Sequence, residues 1–496
     1  MMQHLPYYLL FALGLVSMQC QAQRPQYKIS AEASVSDGRT PLWLNANKYG
    51  LSSLEKNNAF LDAGIVKPDS MDSKWGWSAG AEMAVAYHNT STVIVQQAYV
   101  EGRWLHGTLT LGSKEWPMQM KNNRLSSGSQ TLGINARPVP QLRIALPEYT
   151  KLTKWLYLKG HIAYGFFTDD NWQQDFSNGK ATHCEDIRYH SKAGYFRIGV
   201  PEKPLTVELG VEMAAQFGGK KYDSNGQLLK TRPHDISDYW NVFWGGGGDP
   251  GEGVFANADG NQMGSWLVRI NWNKPQYAVS FYIDHYFDDH SQMFFLDYDG
   301  YGEGEEWNEK KKSHYFRYKL KDNMYGIEVE LKKLSWLRHI VGEYLYTKYQ
   351  SGPIYHDHGT LVSYHIGGDD DYMNHGFYGS WQHWGQVMGN PLYRSPLYNK
   401  DGQIRVESNR FWALHFGCDG NLSRCLDYRL LISAQKSWGS YKDPFVPIRK
   451  ALNVMAEFNY QLKRGYAVGC AVGLDRGSVF GDNFGLQIRF SKSGIL

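Results

Sequence analysis

Outside its N-terminus the chain contains no run of eighteen apolar residues, which excludes helical membrane spans. Cysteine is scarce: beyond Cys20 only Cys184, Cys418, Cys425 and Cys470 remain. No CxxC pair and no His–Cys spacing is present, so a structural metal is not expected. Cys418 and Cys425 flank a short turn and are placed to pair in an oxidising compartment, whereas Cys470 falls mid-strand on an apolar face as a free thiol. Neither sign of charge dominates. The net is +3 with both signs interspersed, which argues against a nucleic-acid partner. The GxSxG and HExxH motifs are missing as well, so the chain reads as non-enzymatic with no cofactor.

What is present is alternation. Leu452, Val454, Ala456, Phe458, Tyr460 and Leu462 alternate with Asn453, Glu457, Asn459 and Gln461, and the same period governs Tyr466–Leu474 and Phe484–Phe490. A period of two puts one set on each face of a pleated strand, one greasy and one wet. Segments of about ten residues suit a tilted strand crossing a bilayer. The pattern predicts strands near 77–88, 92–104, 107–114, 139–147, 155–167, 189–200, 205–216 and 265–272. It continues with 277–287, 324–332, 338–349, 408–418, 427–438, 451–462, 466–475 and 483–490, and Tyr27–Asn47 has room for two more. An antiparallel transmembrane β-barrel of about 16–18 strands follows, with 18 favoured.

Connections sort by parity. Those at 201–204, 273–276, 333–337, 419–426 and 463–465 are short, while those at 168–188, 217–264, 288–323, 350–407 and 439–450 are long. Short turns on one rim and long loops on the other are the asymmetry of membrane barrels. Trp266, Trp272, Tyr277, Phe281, Tyr286, Trp412 and Trp438 fall near strand ends, where interfacial girdles belong. Residues 1–22 read as a signal peptide, with apolar Leu5–Met18 and cleavage after Ala22. Residues 23–76 hold the first strands and a short helix over Leu51–Lys67, 77–490 the barrel, and 491–496 a tail. The region before Trp77 is too short for an importer's plug domain.

The segment Asn483–Phe490 resembles the C-terminal signal of outer-membrane barrels. Wider islands carry a family resemblance: Pro41-Leu-Trp43-Leu-Asn-Ala-Asn47-Lys-Tyr-Gly50, Leu125-Ser-Ser-Gly128, Asn135-Ala-Arg137-Pro138-Val-Pro140-Gln141 and Tyr195-Phe-Arg197-Ile-Gly199. Further on come Asp288-Asp289-His290-Ser291, Glu343–Pro353 and Gly389-Asn390-Pro391-Leu392. Together they resemble the capsule assembly Wzi family. The resemblance implies an eighteen-stranded barrel whose lumen is obstructed by helices and loops, acting as a lectin-like anchor for capsular polysaccharide. It would be a monomer among outer-membrane lipids.

Candidate chemistry lies in the long loops. Asp288–Asn323 is acidic early and basic late, and its Asp297-x-Asp299-Gly300 lacks the spacing of a calcium loop. Asp369, Asp370, Asp371, His365, His375, His356, Asp357 and His358 form the densest group of possible ligands, better read as a polar loop than as a hydrolase centre. The loop 350–407 also carries Tyr372, Tyr378, Trp381 and Trp384, with His383 interleaved. Aromatic faces stack on sugar rings while polar groups bond the hydroxyls, so these residues with Asp288 and Asp289 are the candidate saccharide surface. A second reading, which does not exclude the first, is that the rings pack the loop down onto itself and occlude the barrel. Arg137, Arg143, Arg197, Arg269, Glu82, Glu328 and Glu343 are expected to face the lumen as ion pairs. A diffusion porin and an outer-membrane hydrolase are the alternative functions.

Overall fold

The computed structural model describes residues 23–70, 73–200, 202–245, 260–288, 296–298, 304–306, 313–315, 320–352 and 369–496. Eighteen strands form one closed antiparallel barrel. They are β1 (Gln26–Asp37), β2 (Asn57–Lys67), β3 (Trp75–Tyr87), β4 (Val93–Trp104), β5 (Gly107–Ser113) and β6 (Gln141–Lys151). Next come β7 (Leu156–Phe166), β8 (Arg188–Ile198), β9 (Leu205–Phe217), β10 (Asn261–Asn273), β11 (Tyr277–Asp288) and β12 (Asn323–Leu331). The last six are β13 (His339–Tyr346), β14 (Phe411–Asn421), β15 (Leu426–Gly439), β16 (Pro444–Gln461), β17 (Tyr466–Gly477) and β18 (Asn483–Ile495). Each strand pairs with its sequence neighbour, and β18 returns to β1 from Asp37↔Phe484 to Gln26↔Ile495. Closure removes the exposed edges that would otherwise template association.

The wall is inside out relative to a soluble sandwich. On β1 Ser30, Glu32, Ser34 and Ser36 are buried toward the lumen while Ile29 and Val35 point outward, Val35 at 62% exposure. On β18 Asn483 and Gln487 are buried, whereas Phe484, Leu486, Ile488 and Phe490 are exposed, Ile488 at 63%. Water could not tolerate such a belt, and hydrocarbon requires it. Among the described residues no helix is long and apolar enough to cross a membrane.

Sixteen expected strands lie where the alternation put them, with ends shifted by a few residues. Five expectations are corrected. Leu51–Lys67 is not a helix: β2 occupies Asn57–Lys67, and its inward Phe60 packs with Leu51 and Ile94, which blurs the polar–apolar contrast that would have revealed it. The segment 491–496 is not a tail, because β18 runs on to Ile495 to match the full length of β1. The long connection expected at 439–450 is a tight one, since β16 begins at Pro444 opposite Gly439. Cys418 and Cys425 are free, because the β14–β15 register sets Cys418 against Leu430, well up the hairpin from Cys425. Cys470 is free and exposed on the outward face. Tyr286 leaves the expected girdle: it is buried inward with the lumenal core.

Most of that core comes from three connections on the long-loop rim, residues 38–56, 114–140 and 369–410, which fold down inside the wall, with Phe167, Cys184 and Ile187 of 167–187 and Val479 and Phe480 of 478–482 added to it. Within the first, α1 (Leu42–Asn45) is wholly buried, and the Leu42 N–H donates to Asp475 at 3.0 Å. Trp43, Leu125, Tyr372, Trp381, Leu392 and Tyr393 join wall residues such as Tyr189 and Phe411 in one apolar cluster filling the lumen. The islands of family resemblance meet there. Asn390 donates to Ser127 Oγ at 3.0 Å, Asn135 donates to the Val387 carbonyl at 2.9 Å, and the Gly133 N–H donates to the Met388 carbonyl at 2.9 Å. Gly133 is required for this approach, since a Cβ there would lie 2.7 Å from the Met388 oxygen.

Loop and wall are also joined by charge. Lys121 and Asp284 form a fully buried pair at 2.7 Å, and the Gln130 N–H also donates to Asp284 at 3.1 Å. Arg197–Glu208 at 2.9 Å and Arg269–Glu328 at 2.7 Å are lumenal pairs, as expected, and Glu82 lies 3.5 Å from Lys28. Glu343 instead accepts from the Ser127 N–H at 2.8 Å, while Arg137 and Arg143 rest against tryptophans.

Candidate functional site

Most of the rings expected on an outward saccharide surface belong to the lumenal core. Trp381 is fully buried, stacks on Tyr189 with centroids 5.9 Å apart, and donates its indole N–H to the Thr131 carbonyl at 3.0 Å. Tyr372 is equally buried and donates its hydroxyl to Asp322 at 2.9 Å. Tyr378 packs edge-on against Phe377 at 4.8 Å. His383 is enclosed between the Arg137 carbonyl and Thr168. These four side chains are buried rather than open to solvent, because the loops converging on one lumen bury the apolar rings they carry. Asp288 ends β11, half-buried and paired with Met263 across the ladder. Asp289 lies outside the described residues, as do His356, Asp357, His358, His365 and most of the 289–322 loop. Among the described residues no group of three metal-ligating side chains comes together.

Trp384 is different. It is half-buried at the long-loop rim and lines a cleft of about 430 Å³ with Thr90, Ser91, Asn171, Trp172, Asp175 and Phe176. Three elements supply these residues: the β3–β4 turn, the helix α2 (Asp170–Ser177) and the returning loop. On α2, Trp172 and Phe176 are one turn apart and stack at 4.9 Å, with Asn171 and Asp175 beside them and exposed to solvent. The cleft thus offers flat rings flanked by hydroxyl, amide and carboxylate groups.

The mount of Trp384 is built from buried polar groups. Its backbone sits in the left-handed region at φ 54°, uncommon for a tryptophan and costing of order 1–3 kcal/mol. Asp169, fully buried ahead of α2, offsets that cost by accepting from the Trp384 N–H at 3.2 Å and from Gln382 Nε2 at 2.8 Å. The Trp384 indole donates to Thr168 Oγ1 at 3.3 Å, and Thr168 Oγ1 lies 3.0 Å from His383 Nε2. Because the Thr168 backbone N–H also donates to Nε2, at 3.2 Å, the His383 proton is on Nδ1 and goes to the Arg137 carbonyl at 2.9 Å. Burial lowers the His383 pKa below its ordinary value near 6.5, so the ring is neutral at pH 7.

Arg137 closes the back of the cleft. Its guanidinium lies 4.3 Å from the centre of the Trp384 ring and donates to Thr90 Oγ1 at 2.6 Å. Burial pulls its pKa down to about 10, leaving it charged at neutral pH. Gly385 follows at φ 77°, where a Cβ would lie 2.4 Å from the Trp172 ring, so Trp384 and Trp172 are interlocked through a glycine. Of the expected residues, the structure therefore brings Trp384 to a rim site and leaves Tyr372, Tyr378 and Trp381 in the core. Trp172, Phe176, Asn171 and Asp175 were missed. Their signal was legible in Asn171-Trp172-Gln-Gln-Asp175-Phe176, two aromatic and two polar positions each repeating at one helical turn.

The comparisons agree with this architecture. The model of the family described as capsule assembly protein Wzi matches residues 24–304. No curated protein matches the sequence. Among solved structures, the chain is similar to Escherichia coli Wzi, described as an outer membrane protein involved in group 1 capsule assembly and a carbohydrate-binding β-barrel. The TM-score is 0.58 at 13% identity, covering 99% of this chain and 88% of that one. OccK3 of Pseudomonas aeruginosa follows with a TM-score of 0.46 at 10% identity, covering 98% and 99% of the two chains. OccAB4 of Acinetobacter baumannii has 0.44 at 9%, covering 96% and 99%. With the match extending over more than half of its length and an eighteen-stranded wall closed around folded-in loops, the chain belongs to the capsule assembly protein Wzi family.

Proposed function

We propose that this protein is a monomeric outer-membrane barrel that holds capsular or extracellular polysaccharide at the cell surface, lectin-like and without catalysis, after removal of residues 1–22 as a signal peptide. The observation that carries the reading is Trp384: a partly exposed aromatic face, held in a strained backbone by buried groups, opening on the rim above an occluded lumen. An aromatic ring kept rigid and half-wet is suited to stacking on a pyranose face, and it loses little entropy on binding. Asn171 and Asp175, exposed beside the rings, support the same reading as partners for the hydroxyls of the sugar. The family membership and the carbohydrate binding described for the Escherichia coli relative support the same reading. Packing of the lumen by one apolar cluster favours an anchor over a diffusion porin.

The test is binding of purified, detergent-solubilised protein to the host's own capsule and to a foreign one, for wild type and for Trp384→Ala. Loss of the preference for host capsule in a variant that keeps its thermal stability is expected. Unchanged binding by Trp384→Ala, or by a Trp384→Ala/Phe176→Ala double variant, overturns the assignment of this cleft.

A further inference from the structure

The wall of β7, β8 and β9 has two different neighbours on its two faces. Along β9, Ala214 points inward into the lumenal cluster, while the adjacent Ala215 belongs to a separate cluster with Phe217 and Val242. Val242 lies on α3 (Ile236–Trp244), in the connection after β9. The register sets Tyr164 against His190 and His190 against Ala215, on the same side of the sheet as the exposed Ile162, Phe196 and Leu209. The helix therefore lies on the outside of the barrel, against the upper part of the apolar belt.

Its inner face is well fixed. The Tyr164 hydroxyl donates to the Tyr239 carbonyl at 2.9 Å, Tyr239 packs edge-on against Phe217 at 5.0 Å, and the Lys192 ammonium donates to the Phe243 carbonyl. A lysine at the last turn suits the partial negative charge of a helix C-terminus. Asp235 and Asp238 form a capping box at the other end, and Gly245 closes the helix in the left-handed conformation.

Among the described residues the outer face is apolar and exposed. Ile236, Trp240 and Trp244 recur every fourth residue, one stripe of the helix, and are 90%, 63% and 66% exposed. Trp240 and Trp244 pack edge to face at 5.7 Å, which holds the stripe as a ridge. Below it, outward positions of β8 turn from Arg188, His190 and Lys192 to Phe196 and Ile198, the change from headgroup to hydrocarbon chemistry read along one strand.

We propose that α3 is an outboard interfacial anchor, whose Ile236–Trp240–Trp244 ridge inserts into the outer leaflet at the boundary between headgroups and acyl chains. Continuity with the lipid-facing belt selects a lipid surface over a glycan as the occupant, and tryptophan is the residue that prefers this depth. The ridge would fix the height and tilt of the barrel and, through it, the height of the Trp384 cleft above the membrane. The inference rests on the outer-membrane reading above.

The experiment compares wild type with a Trp240→Phe/Trp244→Phe variant, both folded into phosphatidylcholine vesicles with or without bromine atoms on the upper acyl chain. Heat-modifiable migration on gels confirms that both barrels are folded. The emission of the two indoles, taken as wild type minus variant, is expected to be blue-shifted and lost on brominated lipid. Difference emission at the wavelength of a water-exposed indole and unaffected by bromine overturns the proposal, as does shielding by soluble polysaccharide in place of lipid. Belt residues such as Trp272 serve as the internal control: if they are quenched and the difference emission is not, the anchor alone fails. If no tryptophan in either protein is quenched, the outer-membrane reading fails with it.

Discussion

Trp381 and Trp384 sit on one loop, three positions apart, and serve opposite ends. Trp381 has no exposed surface, stacks on a wall tyrosine and satisfies its only donor internally. Trp384 keeps one face open to the rim, and its polar neighbours hold it there against backbone strain. The lumenal core spends its aromatics on filling volume, whereas the rim cleft uses buried polar groups to keep an aromatic out of the core. Identical side chains are therefore buried in one region and part-exposed in the other, and the backbone at residue 384 makes the difference.

Substitutions that separate the two regions should differ most in the core. Trp381→Ala should cost about 3–5 kcal/mol of stability in the folded-in loops. Because the strand ladder is independent of that ring, the barrel should persist while planar-bilayer conductance rises; a stable, non-conducting variant would show that Trp381 does not hold the lumen closed. Lys121→Met should cost a similar 3–5 kcal/mol, since it leaves Asp284 buried without its cation. Restoration by a second change, Asp284→Leu, in a denaturant melt would confirm that the cost is electrostatic.

At the rim the effects should be smaller in stability and larger in binding. Gly385→Ala should cost about 1–3 kcal/mol and dislodge both Trp384 and Trp172, because the new Cβ meets the Trp172 ring from a left-handed backbone. Acidification should act through His383. Its pKa is lower in the folded mount than when free, so the open form binds the proton more tightly. Loop stability is therefore complete above about pH 6.5 and falls as the pH drops below that value. Asp169 and Arg137, the charged groups facing the ring, oppose each other. Acrylamide quenching of Trp384 should rise on acidification in wild type and stay flat in His383→Gln. Trp384→Ala should move the melting temperature least of all, by the equivalent of about 0.5–1.5 kcal/mol, and still abolish polysaccharide preference.

Much of the wall was legible before any coordinates, because a strand facing lipid on one side and a polar lumen on the other writes its structure at a period of two. β2 escaped because Phe60 turns inward among polar positions, and residues 491–496 escaped because the strand that demands their pairing, β1, lies at the far end of the chain. Loop parity located the rim with the long connections. Which of the rings in the loop 350–407 faces outward was not legible, since Tyr372, Tyr378, Trp381 and Trp384 look alike in a sequence.

Composition and alternation by themselves determined a closed membrane barrel with one rim of long loops, because burial against lipid is a local, residue-by-residue demand. Only the tertiary structure decided that several of those loops descend to fill the lumen and that α2 brings Trp172 and Phe176 beside Trp384. It also decided that α3 lies outside the wall with its tryptophans exposed among the described residues. These are contacts between segments far apart in the chain, and no periodicity within a segment records which partner it will meet.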